Sequence, residues 1–96
     1  MRPSEVFAQH RDTIRQIILD SGMANPRLFG SVLHGDEVDG SDLDLLIDVP
    51  PKTGLLAIAK VQVALQDAVG VKVDLLTPED LPLKFRDKVL AEAIPV

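Results

Sequence analysis

The chain has 96 residues, 46% of them apolar, and its 10 basic and 15 acidic side chains give a net charge of −5. This length predicts one domain over residues 1–96, and the acidic balance argues against the broad positive surface that nonspecific nucleic-acid binding needs. A basic protein is the better candidate for a partner. The chain has no cysteine, which excludes disulfides and thiolate zinc sites and favours a reducing compartment.

The first residues carry no pattern of a targeting signal. Residues 5–15 are rich in charge, and no apolar core of a signal peptide follows them. No apolar run approaches the roughly 20 residues that a membrane span requires. We therefore expect a cytoplasmic protein that does not enter the membrane.

The first third of the chain predicts a helix, a turn and a short strand. Ser4 is the expected N-cap, and Gly22 is the expected stop. Apolar residues recur between them at helical spacing, namely Phe7, Ile14, Ile17 and Ile18. Asn25-Pro26 predicts a turn, and residues 27–29 predict a strand that ends at Gly30-Ser31.

The rest of the chain continues the alternation of strands and helices. Residues 43–49 are apolar except for aspartates and precede Pro50-Pro51, as expected of a strand that is covered on both faces. A helix that ends at Gly70 is predicted from Leu55, Ile58, Val61, Leu65 and Ala68. Residues 72–76 alternate as a short strand, Thr77-Pro78 resembles a helix start, and residues 83–93 predict a last helix. This order indicates an α/β fold.

Two aspartates stand at the start of the apolar strand. Side chains two residues apart on a strand share a face, so Asp42 and Asp44 are expected to project together. Adjacent carboxylates repel each other unless they share a proton or a cation, and oxygen ligands on a rigid strand suit Mg²⁺. Asp74 takes a comparable position in the next strand. If the two strands are neighbours, it reaches the same metal or a nucleophile bound there.

A possible phosphate site precedes the aspartates. Gly30 allows a ligand to approach the backbone closely, and Ser31 offers a hydroxyl and an N–H at the start of a possible helical turn through His34. Phosphate on one side and carboxylates on the other indicate phosphoryl or nucleotidyl transfer.

Several residues have a simpler interpretation that stays open. Asp42 can be an ordinary turn residue, Asp74 a solvated strand end, and His34 either a phosphate ligand or an idle surface residue. The other acidic residues of this region are expected in solvated positions, namely Asp36, Glu37, Asp39 and Asp48. A second apolar stripe on the middle helix is expected to join the core rather than to form a partner surface, namely Leu56, Ala59 and Val63.

The spacing of these motifs resembles a known family. Gly30-Ser31, ten residues, and then Asp42-Leu43-Asp44 match the signature of the DNA polymerase β-like nucleotidyltransferases, and residues 27–31 with 41–47 resemble the minimal nucleotidyltransferase (MNT) proteins. The likeness spans nearly the whole chain, including the strand that carries Asp74 and the closing segment 85–94. It implies a small mixed β-sheet flanked by helices, the polymerase β-like nucleotidyltransferase fold.

The resemblance also implies roles for single residues. Asp42 and Asp44 would bind Mg²⁺, Gly30 and Ser31 would bind the triphosphate of ATP, and Asp74 would bind metal or take the proton of the attacking hydroxyl. MNT proteins commonly carry an arginine where this chain has His34. Because histidine replaces arginine here, phosphate binding is expected to be weaker or to depend on pH.

Three functions follow as hypotheses. MNT proteins resemble the antitoxins of HEPN/MNT toxin–antitoxin pairs, so the first is transfer of AMP from ATP to a tyrosine of a HEPN ribonuclease toxin. The chain has no tyrosine, so such a transfer would occur in trans, and its length leaves no obvious acceptor-binding domain. The alternatives are an antitoxin that neutralises its toxin by binding alone, and transfer to a small molecule held by a separate subunit.

Overall fold

A four-stranded mixed sheet organises residues 2–96, the part of the chain that this computed structural model describes. Its strands are β1 (Ala24–Phe29), β2 (Leu43–Asp48), β3 (Val73–Leu76) and β4 (Ile94–Pro95). Its helices are α1 (Pro3–Asp20), α2 (Ser31–His34), α3 (Leu55–Val69) and α4 (Leu83–Glu92), with a 3₁₀ turn at Pro78–Asp80. The strand order is β3-β2-β1-β4, in which β2 and β3 are parallel and the other pairs are antiparallel. The predicted α/β class and mixed sheet are confirmed.

The core lies on one face of the sheet, beneath α1 and α3. The central strand β2 alternates as predicted, because Leu43, Leu45 and Ile47 are fully buried in this layer. The helices contribute Ile14 and Ile18 from α1, and Val61, Leu65 and Val69 from α3. Leu46 points to the other face and is also fully buried, so the interior of β2 is covered on both sides, as its apolar run predicted.

The first helix begins earlier than the sequence indicated. Its N-cap is Arg2 and its first residue is Pro3, so the prediction of Ser4 as N-cap is wrong. Proline suits the first helical position because its ring fixes φ near the helical value and the missing N–H has no partner there anyway. The Glu5 carboxylate accepts the backbone N–H of Arg2 at 3.1 Å and completes this end.

Strand β1 also begins earlier than predicted. The pairing with β2 starts at Ala24 and becomes irregular between Ala24 and Arg27. Asn25 has a φ of +50° at this irregularity, which is a conformation that asparagine tolerates better than most residues. The Asn25-Pro26 signal was therefore real, but it marks a bulge inside the strand rather than a turn before it.

The C-terminal region differs from its prediction in two ways. Thr77-Pro78 starts only the 3₁₀ turn, because Pro82 separates that turn from α4, and α4 ends at Glu92 rather than at residue 93. The chain then forms β4, which was not predicted and which pairs with β1 opposite Arg27 and Leu28. The Arg11 guanidinium donates to the carbonyl of Pro95 at 2.7 Å and ties this strand to α1.

Helix α3 buries one narrow stripe. Ile58, Val61 and Leu65 face the core as predicted, whereas Leu55 is 81% exposed. The second stripe does not join the core. Leu56, Ala59 and Val63 are all exposed, because the sheet contacts only one side of this helix.

Two glutamines of α3 hold the edge strand β3. The side-chain oxygen of Gln66 accepts the N–H of Val73 at 3.1 Å, and that of Gln62 accepts the N–H of Leu75 at 3.0 Å. These two N–H groups point away from β2, so an edge strand would otherwise leave them without a protein partner. Asp74 lies between the two anchored residues.

A membrane span requires a helix of sufficient length and apolar character. Across residues 2–96, no helix has both the length and the apolar character that a bilayer crossing demands.

Candidate active site

Asp44 and Asp74 are direct neighbours in the sheet. The parallel pairing of β2 with β3 places them opposite each other in register, so their side chains share the face that does not carry the α1/α3 core. Asp42 precedes β2 by one residue and is half-buried, and its Oδ2 atom lies 3.8 Å from Nζ of Lys72. The structure therefore brings the three predicted aspartates to one end of two adjacent strands.

The closeness of the three carboxylates affects the pKa of Asp44. Burial, followed by the negative charges of Asp74 and Asp42, raises the pKa of Asp44 to about 6. The backbone N–H of Ser31 points at the same carboxylate and offsets a part of this increase. A cation beside Asp44 would stabilise its charged form, because it offsets both the cost of burial and the repulsion from the other two aspartates.

Gly30 is required by the position of Asp44. Its φ of +78° and ψ of −150° fall in a region that is nearly restricted to glycine. A Cβ atom on Gly30 would collide with Oδ2 of Asp44 and lie 2.9 Å from its Cγ. The glycine of the motif and the second aspartate of the motif are thus in contact.

Ser31 begins the short helical turn that the sequence predicted, and α2 ends at His34. The His34 N–H donates to the carbonyl of Gly30 at 3.1 Å, which closes the turn. The first N–H groups of any helix lack acceptors within it, so the start of α2 presents donors beside Asp44. His34 itself lies 2.9 Å from Glu92, measured from Nε2 to Oε2, and so contacts α4.

The donor set suits a hard divalent cation. Asp42, Asp44 and Asp74 offer only carboxylate oxygens, the ligands that Mg²⁺ prefers. Within residues 2–96, no three acidic or histidine side chains already converge on a point that could hold a metal ion. The sheet register sets Asp44 beside Asp74, and Asp42 lies two residues before Asp44. A bound Mg²⁺ would neutralise charge on a phosphate held there.

The other acidic residues of this region behave differently. Asp48 was expected to be solvated, and it accepts from Arg27 at 2.6 Å and from Asn25 at 3.1 Å at the far end of β2. The expectation for Glu37 is wrong, because this residue is only 7% exposed. A hydrogen bond with the Ser4 side chain lowers the pKa of Glu37, so this glutamate connects the loop before β2 to the start of α1.

The glutamines behind Asp74 were not predicted. Gln62 and Gln66 stand four residues apart on a largely apolar helix, so they project from the same side. That spacing was a usable signal, but a residue pattern alone does not reveal which backbone groups the glutamines reach.

Fold and site together define a class. Carboxylates on adjacent strands beside a glycine-initiated turn are the parts that nucleotidyl transfer needs, and this protein is a nucleotidyltransferase. It belongs to the nucleotidyltransferase domain family, whose model matches residues 10–96.

Two curated relatives share most of the chain. A candidate protein adenylyltransferase of Methanocaldococcus jannaschii is 29% identical over 80 residues, which cover 83% of this chain and 86% of that protein. Protein adenylyltransferase MntA of Thermococcus cleftensis is 26% identical over 89 residues, which cover 93% and 87%.

Solved structures repeat the same fold. A candidate minimal nucleotidyltransferase matches with a TM-score of 0.83 and 34% identity, over 97% of this chain and 95% of that one. A toxin–antitoxin complex with AMP-PNP gives 0.75 at 20% identity, over 88% and 69%. A complex of a tri-AMPylated Shewanella oneidensis HEPN toxin with an MNT antitoxin gives 0.70 at 17% identity, over 92% and 69%. At these lower identities, the last two show the shared fold alone.

Proposed function

We propose that this protein is a cytoplasmic antitoxin that transfers AMP from ATP to a tyrosine of a HEPN ribonuclease toxin, with Mg²⁺ at the aspartates. The observation that carries the proposal is the register of the sheet. It sets Asp44 opposite Asp74 while Gly30 contacts Asp44, and this arrangement supports one shared site for phosphate and metal. Both relatives described above bear the name protein adenylyltransferase, which supports AMP transfer to a protein.

The residues divide the work as follows. Asp42 and Asp44 would hold Mg²⁺, which supplies positive charge to the triphosphate when it is bound. Gly30 gives the phosphates access to the backbone, and Ser31 offers them its hydroxyl. Asp74 stands beside Asp44, where it can bind metal as well or accept the proton of the attacking hydroxyl.

The transfer balances as a single displacement. The tyrosine oxygen forms a bond to the α-phosphorus of ATP, the bond from that phosphorus to the β-phosphate oxygen breaks, and pyrophosphate leaves. Asp74 would take the hydroxyl proton, and its position opposite Asp44 supports this role. Since none of the 96 residues is a tyrosine, the acceptor belongs to another chain.

The toxin as partner is supported by the structural neighbours. One of them combines an MNT antitoxin with a tri-AMPylated HEPN toxin, and another binds the ATP analogue AMP-PNP. The net charge of −5 is compatible with a basic protein partner rather than with direct nucleic-acid binding.

The test is a mass measurement on the product of the neighbouring gene, which the proposal expects to be a HEPN toxin. Incubation with the wild-type protein, ATP and Mg²⁺ should add at least one AMP to a tyrosine of the partner. Asp42→Asn and Asp44→Asn should each lower the rate at least 100-fold, and EDTA should stop the reaction. Asp39→Asn is the matched control, because Asp39 is exposed and lies in the same loop region outside the site.

The result also separates the competing functions. If the wild-type protein adds no AMP and both active-site variants still neutralise the toxin, the protein acts by binding alone and the proposal is wrong. AMP found on a small molecule, with none on the partner, would indicate the third function.

A further inference from the structure

An apolar cavity of about 340 Å³ lies beside the aspartates, on the same face of the sheet. Its wall consists mainly of Phe29, Leu33, Leu76, Leu81, Phe85 and Val89. Gly30 also lines it, and Gly30 is the residue that contacts the Asp44 carboxylate. Gly30 therefore lies between the cavity and the Asp44 carboxylate, at the proposed phosphate and metal site.

Sheet register fixes this relation independently. Phe29 is the cross-strand partner of Asp44, and Leu76 follows Asp74 by two residues on β3. Opposed residues of an antiparallel pair have Cβ atoms about 5 Å apart on one face. Two side chains of the cavity floor are thus immediate neighbours of two of the aspartates.

The residues that line the cavity indicate which part of a nucleotide it can hold. No lysine or arginine lines the cavity, so it offers no cation for a phosphate. Phe85 is 52% exposed and can stack on a planar ring, and the polar rim consists of the pair formed by His34 and Glu92. A mostly apolar pocket with few polar groups at its edge is typical of a site for a flat heterocycle.

We infer that this cavity, between α2, β3 and α4, holds the base of the donor nucleotide. The inference rests on the proposed nucleotide site, because a base is covalently tied to the phosphates that the aspartates and Gly30 would bind. It assigns a function to α4, since Phe85, Val89 and Glu92 recur along that helix at positions that share a face.

The experiment compares ligands with and without a base by calorimetric titration in Mg²⁺ buffer. Phe85→Ala should weaken ATP binding about tenfold or more, because it removes a stacking surface, and should leave the affinity for inorganic tripolyphosphate unchanged. Leu83→Ala should change neither affinity, since Leu83 is 81% exposed on the same helix and does not line the cavity.

A second variant fills the cavity rather than opening it. Val89→Trp should weaken ATP binding at least tenfold while the affinity for tripolyphosphate stays the same, and an unchanged thermal midpoint would show that it folds. Wild-type affinity for ATP in both Phe85→Ala and Val89→Trp overturns the inference. So does a variant that binds ATP normally but has a raised KM for the partner protein, since the cavity would then belong to the acceptor.

The failure of the proposed function gives a different pattern. If the protein binds ATP and loses that affinity in Phe85→Ala, but transfers no AMP to the partner, the base site stands and the proposed reaction is wrong. A wild-type protein that binds neither ATP nor tripolyphosphate contradicts both.

Discussion

Gly30 joins the two halves of the sequence motif at the scale of a single residue. Its backbone conformation disfavours any side chain, and the Asp44 carboxylate occupies the space that a Cβ would need. The spacing of glycine and aspartate in the motif therefore reflects a contact between the start of α2 and the start of β2. This contact is separate from the proposed roles of Gly30 and Asp44 in binding.

The first prediction concerns this contact. Gly30→Ala should lower the affinity for Mg²⁺–ATP at least tenfold, because the new methyl group displaces the Asp44 carboxylate, and should cost about 1–3 kcal/mol of stability through backbone strain. Calorimetric titration and urea denaturation measure the two effects. Gly70→Ala is the control, since Gly70 also has a positive φ of +77° but its Cβ would meet no described atom within 4 Å. Wild-type ATP affinity in Gly30→Ala would contradict this prediction.

The second prediction concerns the pH dependence of stability. Because burial and the neighbouring aspartates raise the pKa of Asp44 to about 6, the unfolded chain loses this proton first as pH rises. The cost of ionising Asp44 in the folded protein therefore develops between about pH 4 and pH 6. Without metal, Asp44→Asn should therefore stabilise the protein at pH 7.5 by about 1 kcal/mol, less than the full shift implies, because solvent screens this half-buried group. At pH 4 the gain should vanish.

Urea denaturation of the two proteins at both pH values measures this difference. Asp39→Asn should change stability by less than about 0.5 kcal/mol at either pH, as expected of an exposed loop position. An equal gain for Asp44→Asn at pH 4 and pH 7.5 would show that its cause is not the ionisation of the carboxyl group.

Alternation along one strand predicted that Asp44 points away from the core layer of Leu43 and Leu45, and the structure agrees. Residue patterns failed for Glu37 and Ser4. The burial of Glu37 depends on the return of its loop to the start of α1, which is a contact between distant parts of the chain. No local pattern contains that information.

At the scale of elements, the position of β3 decides whether the site exists. Asp74 reaches Asp44 only because β3 pairs with β2 in one particular register, and a shift by one residue would turn Asp74 toward the core. The glutamines of α3 hold the free edge of this strand at the residues on either side of Asp74.

The third prediction tests these glutamines. Gln66→Met should cost about 1–2 kcal/mol of stability, because it removes the acceptor for the Val73 N–H, and should speed hydrogen exchange at that amide. It should also lower the rate of AMP transfer, since Asp74 then lies on a looser strand. Gln66→Glu is the matched variant, because a carboxylate oxygen can accept the same hydrogen bond. If Gln66→Met and Gln66→Glu behave alike, the acceptor oxygen does not matter.

The sequence indicated the type of each long element but not the pairing of the strands. The spacing of apolar residues predicts helices α1 and α3. The pairing of β2 with β3 depends instead on the crossover through α3, which no local pattern describes. Strand β4 escaped prediction because its two residues, one of them a proline, form a strand only by lying against β1.

At the scale of the molecule, the two faces of the sheet carry different groups. The face under α1 and α3 holds the core, and the opposite face carries the aspartates and the apolar cavity. Within the described stretch Leu83–Glu92, no side chain is fully buried, so α4 covers that second face only loosely. This second face is therefore the accessible one, as the proposed binding of a nucleotide and a protein acceptor requires.

The central claim is that the three aspartates and Gly30 form one metal and nucleotide site. Titration with paramagnetic Mn²⁺, followed by amide NMR, tests it most directly, because the ion broadens the signals of the groups nearest to it. The account predicts that the amides of Asp42, Asp44, Asp74 and Gly30 broaden together at the lowest Mn²⁺ concentrations, and that Asp44→Asn abolishes the effect at all four. Broadening that centres on other residues and leaves these four amides sharp, or that persists in Asp44→Asn, would contradict the account.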